Sequence, residues 1–101
     1  MSGDQTYFQM HAMAERDDGT VAPLSIHISQ PDYEESRGYF CTIRCSFVRK
    51  KPFMVFGWDE NQARELSYKF IRDVVLDRVR RVVDASGREI AFDEDAPSDI
   101  Y

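Results

Sequence analysis

Closely spaced glycines are missing from this chain. The five glycines stand at 3, 19, 38, 57 and 87, and no two are closer than sixteen residues. Phosphate-cradling loops, dinucleotide fingerprints and the nucleophile elbow all need glycines at short spacing, so the sequence carries none of those sites. Long apolar runs are missing too. The longest, Phe53 to Trp58, falls far short of the roughly 20 residues a membrane-spanning helix requires. Met1-Ser2-Gly3-Asp4-Gln5 has no basic segment leading into an apolar one, so no secretory leader is expected. Cysteine is limited to Cys41 and Cys45, four positions apart in an apparent strand. At that spacing the α-carbons would stand about 13 Å apart. A disulfide tolerates no more than about 7 Å. Two free, buried thiols are therefore expected, which fits a reducing, cytoplasmic compartment.

What is present is enough for one core. With 101 residues, 43% of them hydrophobic, the chain reads as a single domain over 1–101. Residues 1–5 read as an arm, 6–92 as the folded core and 93–101 as an acidic tail containing Pro97. A domain this small leaves much of its surface uncovered, which makes a homodimer a reasonable expectation.

Two strands, Thr6 to Ala14 and Val21 to Gln30, flank the turn signal Asp17-Asp18-Gly19-Thr20. A two-residue loop at Asp18-Gly19 would oppose Met10 to His27 and mix polar with apolar groups. Placing Gly19 at the centre of an odd loop instead pairs Met10 with Ile28, Ala12 with Ile26 and Ala14 with Leu24. Gln9 then faces Ser29, Met13 faces Ser25, and His11 faces His27. The second register is preferred, because a one-residue slip turns every side chain over, with Gly19 in the left-handed conformation. After Pro31, residues 32–38 read as a polar loop. A third strand is expected from Tyr39 to Val48, with Tyr39, Cys41, Ile43, Cys45 and Phe47 on its apolar face and Thr42, Arg44 and Ser46 on the other. Arg49-Lys50-Lys51-Pro52 makes the next turn. The fourth strand, Phe53 to Gly57, is apolar on both faces and so is expected at the centre of the sheet. A turn centred between Lys50 and Lys51 sets Phe47 opposite Met54, Cys45 opposite Phe56 and Ile43 opposite Trp58.

The helix start is the clearest local signal. Asp59 can cap the free N–H groups, Gln62 completes a capping box, and Glu60 adds negative charge at the positive end of the helix dipole. Ala63, Leu66, Ser67, Phe70, Ile71, Val74 and Val75 make one helical stripe. Past Val75 two readings are open. Either the helix continues to Val83 with a rotated apolar face, or it stops near Asp77 and Val79–Val83 pairs with Arg88–Phe92 around Asp84-Ala85-Ser86-Gly87. The hairpin is favoured, since Asp first and Gly fourth is a type I turn preference. The fold class is thus α+β: an antiparallel sheet of four or more strands in two successive hairpins, one amphipathic helix on one face, and a C-terminal hairpin as the favoured ending.

The net charge of −5 is segregated into blocks. Residues 1–36 hold seven acids and one base, 37–58 five bases and no acid, 59–83 six bases and five acids, and 84–101 six acids and one base. The bases Arg37, Arg44, Arg49, Lys50 and Lys51 could meet a phosphate backbone, but the flanking acids and an acidic whole chain oppose nucleic-acid binding. Lys and Arg at a sheet edge also serve simply to deter aggregation. His11 and His27 are the candidate metal pair, yet their expected neighbours Gln9, Ser25, Ser29 and Met13 supply no further strong ligand, and zinc needs three or four. Cys41 and Cys45 share a face with Ile43 and Phe47, which points to inert thiols. The acid pairs Asp17-Asp18, Glu34-Glu35 and Asp93-Glu94-Asp95 lie in loops or tail, where adjacent carboxylates point apart. No catalytic set and no cofactor are expected.

Tyr39-Phe40-Cys41-Thr42-Ile43, followed by Gly57-Trp58-Asp59-Glu60-Asn61-Gln62-Ala63-Arg64-Glu65-Leu66, resembles a family of small bacterial domains of unknown function. In that family an aromatic-x-Cys strand precedes Gly-x-Asp-x-x-Gln-Ala and a helix. The resemblance spans about the middle third of the chain. It implies a bacterial source and this strand-to-helix order, and no activity. The residues themselves point to a non-enzymatic interaction module for an unknown protein or for itself, with Gln9, His11, Ser25, His27, Arg44, Arg49, Lys50 and Lys51 as the candidate surface. The alternative is a small-ligand domain with a pocket between helix and sheet, lined by Trp58, Tyr68 and the cysteines. Trp58 itself is expected to pack against Ile43.

Overall fold

Apolar side chains alternate with polar ones from Phe8 to Ala14 and again from Ala22 to Ile28, which is the pattern of a half-covered hairpin. The computed structural model describes residues 5–92 and contains that hairpin as β1 (Thr6–Glu15) and β2 (Val21–Ser29). Its faces are those expected, but its register is not. Met10 pairs with Ile26, Ala12 with Leu24, His11 with Ser25 and Gln9 with His27, a shift of two residues. The cause is the loop. Asp17-Asp18-Gly19 forms a three-residue connection in which Gly19 N–H donates to Arg16 O, Arg16 N–H donates to Thr20 O, and Gly19 (φ 89°) takes the last position rather than the middle one. A two-residue slip leaves every side chain on its expected face, so the core is unaffected while the neighbours change. His11 and His27 are therefore not direct partners.

The segment expected as a loop contains β3 (Asp32–Glu34), which pairs with β4 (Gly38–Arg44). The third strand also ends sooner than its alternation implies. Cys45 O accepts from both Val48 N–H and Arg49 N–H, so the chain coils immediately after Arg44. That coil absorbs five residues of the expected register. In β5 (Phe53–Gly57), Phe53 pairs with Ile43, Val55 with Cys41, Phe56 with Phe40 and Gly57 with Tyr39.

Among the described residues the sheet has seven strands, and all their pairings are antiparallel. β5 runs along Tyr39–Ile43 of β4, so β3 and β2 share the other side of β4, one after the other, with Gln30-Pro31 between them. β1 follows β2, then β6 (Arg81–Val83) and β7 (Glu89–Ile90). The expectation of a central fourth strand is thus overturned. Among the described residues β5 pairs with β4 alone and forms an edge. Its two apolar faces have another explanation: one lies under the helix, and the other lies in an aromatic patch on the open side.

Helix α1 (Glu60–Arg78) ends where the hairpin reading placed it, and β6 and β7 form that hairpin around Asp84–Arg88. Its buried face is Ala63, Ser67, Tyr68, Ile71 and Val75, rotated from the expected stripe, so that Leu66 and Phe70 stand at the rim. This face covers Leu24, Ile26, Ile28, Cys41 and Ile43 of the sheet, with Ala14 and Val82 extending the core toward β6. At the helix start Gln62 N–H donates to Asp59 Oδ1 (2.8 Å), and Trp58 N–H donates to Gln62 Oε1 (2.6 Å). The reciprocal box reaches one residue further back than the usual form. Asp59→Ala removes one of these caps and should cost about 1 kcal/mol, read from the urea midpoint. An unchanged midpoint would mean that the cap is dispensable.

Candidate interaction surface

The face of the sheet away from the helix carries two kinds of side chain. Toward β1 and β2 it is polar. Gln9 Nε2 donates to His11 Nε2 (2.7 Å), leaving the ring proton of His11 on Nδ1, from which it is donated to Ser25 Oγ (3.0 Å). Thr6 Oγ1 and His27 Nε2 share a hydrogen bond of 2.8 Å, while His27 Nδ1 is buried with no partner among the described residues. His27 pairs across the ladder with Arg44, which is exposed. Gln9, His11, Ser25, His27 and Arg44 therefore do share one face. Each histidine is held by its own neighbours, and among the described residues no group of three or more His, Cys, Asp or Glu is placed to hold a metal ion.

Arg49, Lys50 and Lys51 lie in the turn between β4 and β5, all exposed, with the Arg49 guanidinium 5.2 Å from the centre of the Phe53 ring. The remaining bases are elsewhere. Arg37 pairs with Glu34 (2.8 Å) at the opposite end of β4, and Arg81 pairs with Glu15 where β1 meets β6, its guanidinium holding that carboxyl below the usual range. Arg44 and Lys50 border one depression with Ser25 and Pro52, while Arg37 and Arg81 stand apart from it, so the bases do not form one stripe along a groove.

The thiols point the other way. Cys41 shares the helix-covered face with Ile43, and burial pushes both the Cys41 and Cys45 thiols up, the Ser67 hydroxyl beside Cys41 offsetting part of the rise there. A raised thiol is a poor nucleophile at neutral pH. Cys41 and the two histidines also lie on opposite sides of the sheet, so the registers keep a general base away from that sulfur.

Toward β4 and β5 the open face is aromatic. Phe40 and Phe56 oppose each other with ring centres 5.2 Å apart, and Arg37 stacks on Phe56 at 4.5 Å. Met54 is 45% exposed on the same face. Trp58 is 85% exposed and borders a shallow depression with Arg37, Phe56 and Gln62. It does not pack on Ile43. The shifted register gives Ile43 to Phe53, and the parity of β5 sends the indole to the open side. Tyr68, Cys41 and Cys45 are packed in the core, so they line no common cavity with Trp58. On the helix side, Phe53 meets Phe70 edge-on at 5.6 Å, and Phe70 remains 42% exposed. The free edge of β5 is thus flanked by apolar groups on both faces. Sequence reasoning missed this surface because it used the apolar content of residues 53–58 as evidence of burial. Pro52 gave no signal either, since it precedes the strand and proline is tolerated at the start of any strand.

Comparison of the chain with protein-family models, with curated proteins and with solved structures found no match in any of the three.

Proposed function

We propose that the chain is a non-enzymatic protein-interaction module of the cytosol, and that it binds through the β5 edge and the aromatic patch around Trp58. One observation carries the reading: the single tryptophan is 85% exposed on a backbone held in place by its own hydrogen bond to Gln62. An indole left in water contributes little to folding, whereas Trp beside Met and Arg is the composition of binding hot spots. Fixing its backbone lowers part of the ordering cost on association. The edge beside it offers unpaired backbone groups for strand addition. The two buried thiols support the cytosolic assignment.

Trp58→Ser is expected to change unfolding stability by no more than about 0.5 kcal/mol, as for a surface position. A photo-crosslinking residue at 58 should trap protein adducts in the producing cell, and the same residue at Leu76, exposed elsewhere on the helix, should not. A loss of more than about 2 kcal/mol in Trp58→Ser would return Trp58 to a packing role. Absence of adducts at 58 would remove the surface.

A further inference from the structure

We infer that the occupant of the β5 edge is a second copy of this chain, paired antiparallel through β5 about a two-fold axis at Val55. The inference rests on the interaction surface proposed above and names its partner.

Among the described residues three strands pair on one side only, β3, β5 and β7, and they are unlike: β3 is three residues long and carries Asp32 and Glu34. β7 is two residues long and includes Glu89, which is how natural sheets blunt an edge. β5 is five residues, Phe53-Met54-Val55-Phe56-Gly57, with no charge in it. Its basic residues all precede it, at Arg49, Lys50 and Lys51, and its acidic residues follow it, at Asp59 and Glu60. A strand charged in this way is complementary to itself only when antiparallel. With Val55 on the axis, Met54 faces the partner's Phe56 on the open side, and Phe53 faces the partner's Gly57 on the helix side, where it meets the first turn of α1 that covers that glycine. Pro52 meets the partner's Trp58. Lys51 and Lys50 then approach the partner's Asp59 and Glu60. Parallel pairing would instead set bases on bases.

The surroundings keep this polarity. At the basic end the helix flank adds Asp73, paired with Arg72 at 3.0 Å, and Asp77, so the end stays net positive. At the acidic end Glu34 neutralises Arg37. Sterically the join is open. The helix lies over β4 and β5, and strands about 4.8 Å apart would bring the two helices to about 10 Å, an ordinary helix-packing distance. Leu66 and Phe70 face the axis from that flank. The charges set orientation more than affinity, which comes from the apolar edge and the indole.

The full chain should sediment with twice its mass of 11.8 kDa, and its tryptophan emission should shift to the blue as concentration rises through the dissociation constant. Two charge variants test the geometry. K50E/K51E sets acid against acid, and D59N/E60K, which keeps a capping side chain, sets base against neutral and base. Each should weaken self-association at least about tenfold, with unchanged circular dichroism, and an equal mixture of the two should restore the dimer mass. A wild-type monomer at high concentration would overturn the second copy while leaving adducts at position 58 to report on any other partner. A dimer indifferent to both variants, or a mixture that fails to recover, would overturn the antiparallel edge.

Discussion

Replacing Gly57 by alanine is expected to destabilise the fold by about 3 kcal/mol, the upper part of the range for overfilling a packed site. Gly57 is the last residue of β5, and the helix turns back directly over it. A methyl group there would stand 2.6 Å from Ala63 N, 2.9 Å from the Gln62 carbonyl carbon and 3.0 Å from Ala63 Cα. All three are backbone atoms, so no side chain can rotate out of the way. Relief requires moving the first turn of α1. That turn is fixed by the Asp59 and Gln62 hydrogen bonds and by the complete burial of Ala63, Ser67 and Ile71 behind it. For a domain of this size the loss corresponds to roughly 12 to 24 °C in melting temperature. Thermal unfolding followed by circular dichroism measures it. A shift of only a degree or two would mean that the helix start can slide over β5.

That close approach also shows what the sequence made legible. Asp59, Gln62 and the apolar spacing after them specify the helix and its start through local hydrogen bonds, and local chemistry is written in neighbouring letters. The faces of β1 and β2 were legible for a similar reason, since alternation assigns sides whatever the register. The C-terminal hairpin followed from Asp84 and Gly87, and Gly87 indeed takes φ 90°. What alternation cannot supply is the number of residues a loop consumes. Gly19 serves equally well at the middle or the end of a loop, and only the hydrogen bond from its N–H to Arg16 O decides. The coil at Cys45 is harder still, because Cys45, Phe47 and Val48 continue an apolar pattern while their backbone leaves the ladder. The resulting five-residue change reverses the meaning of Trp58.

The candidate surface was therefore half legible. Gln9, His11, Ser25, His27 and Arg44 share a face as alternation requires. The aromatic half was hidden, because an apolar run reads the same at the centre of a sheet and at an uncovered edge. Only topology tells them apart, and here the topology depends on β4 ending at Arg44.

Tyr68→Ala should be the most damaging of the aromatic truncations, at about 3–5 kcal/mol. Tyr68 is 2% exposed and meets Phe8 edge-on at 5.1 Å, with Phe92 at 6.3 Å from Tyr68 and 6.5 Å from Phe8. The three rings tie the middle of α1 to β1 and hold the chain beyond β7 against both. Truncation opens a cavity among groups that cannot collapse into it, and it also removes the ring pairs, each worth about 0.5–1.5 kcal/mol beyond the buried area. Against a total stability of about 5–15 kcal/mol, such a loss moves the urea midpoint by about a fifth or more. Tyr68→Phe keeps the ring contacts and should retain most of the stability, which separates packing from the hydroxyl. The comparison with Trp58 makes the test sharper. The two aromatics are ten residues apart in sequence and on opposite sides of the sheet. By side-chain size and its place at the helix start, Trp58 would rank as the anchor of the core. The fold assigns that role to Tyr68 and leaves Trp58 in water. If truncating Trp58 costs more than truncating Tyr68, the faces are assigned the wrong way round, and both the core and the edge described for β5 fail together.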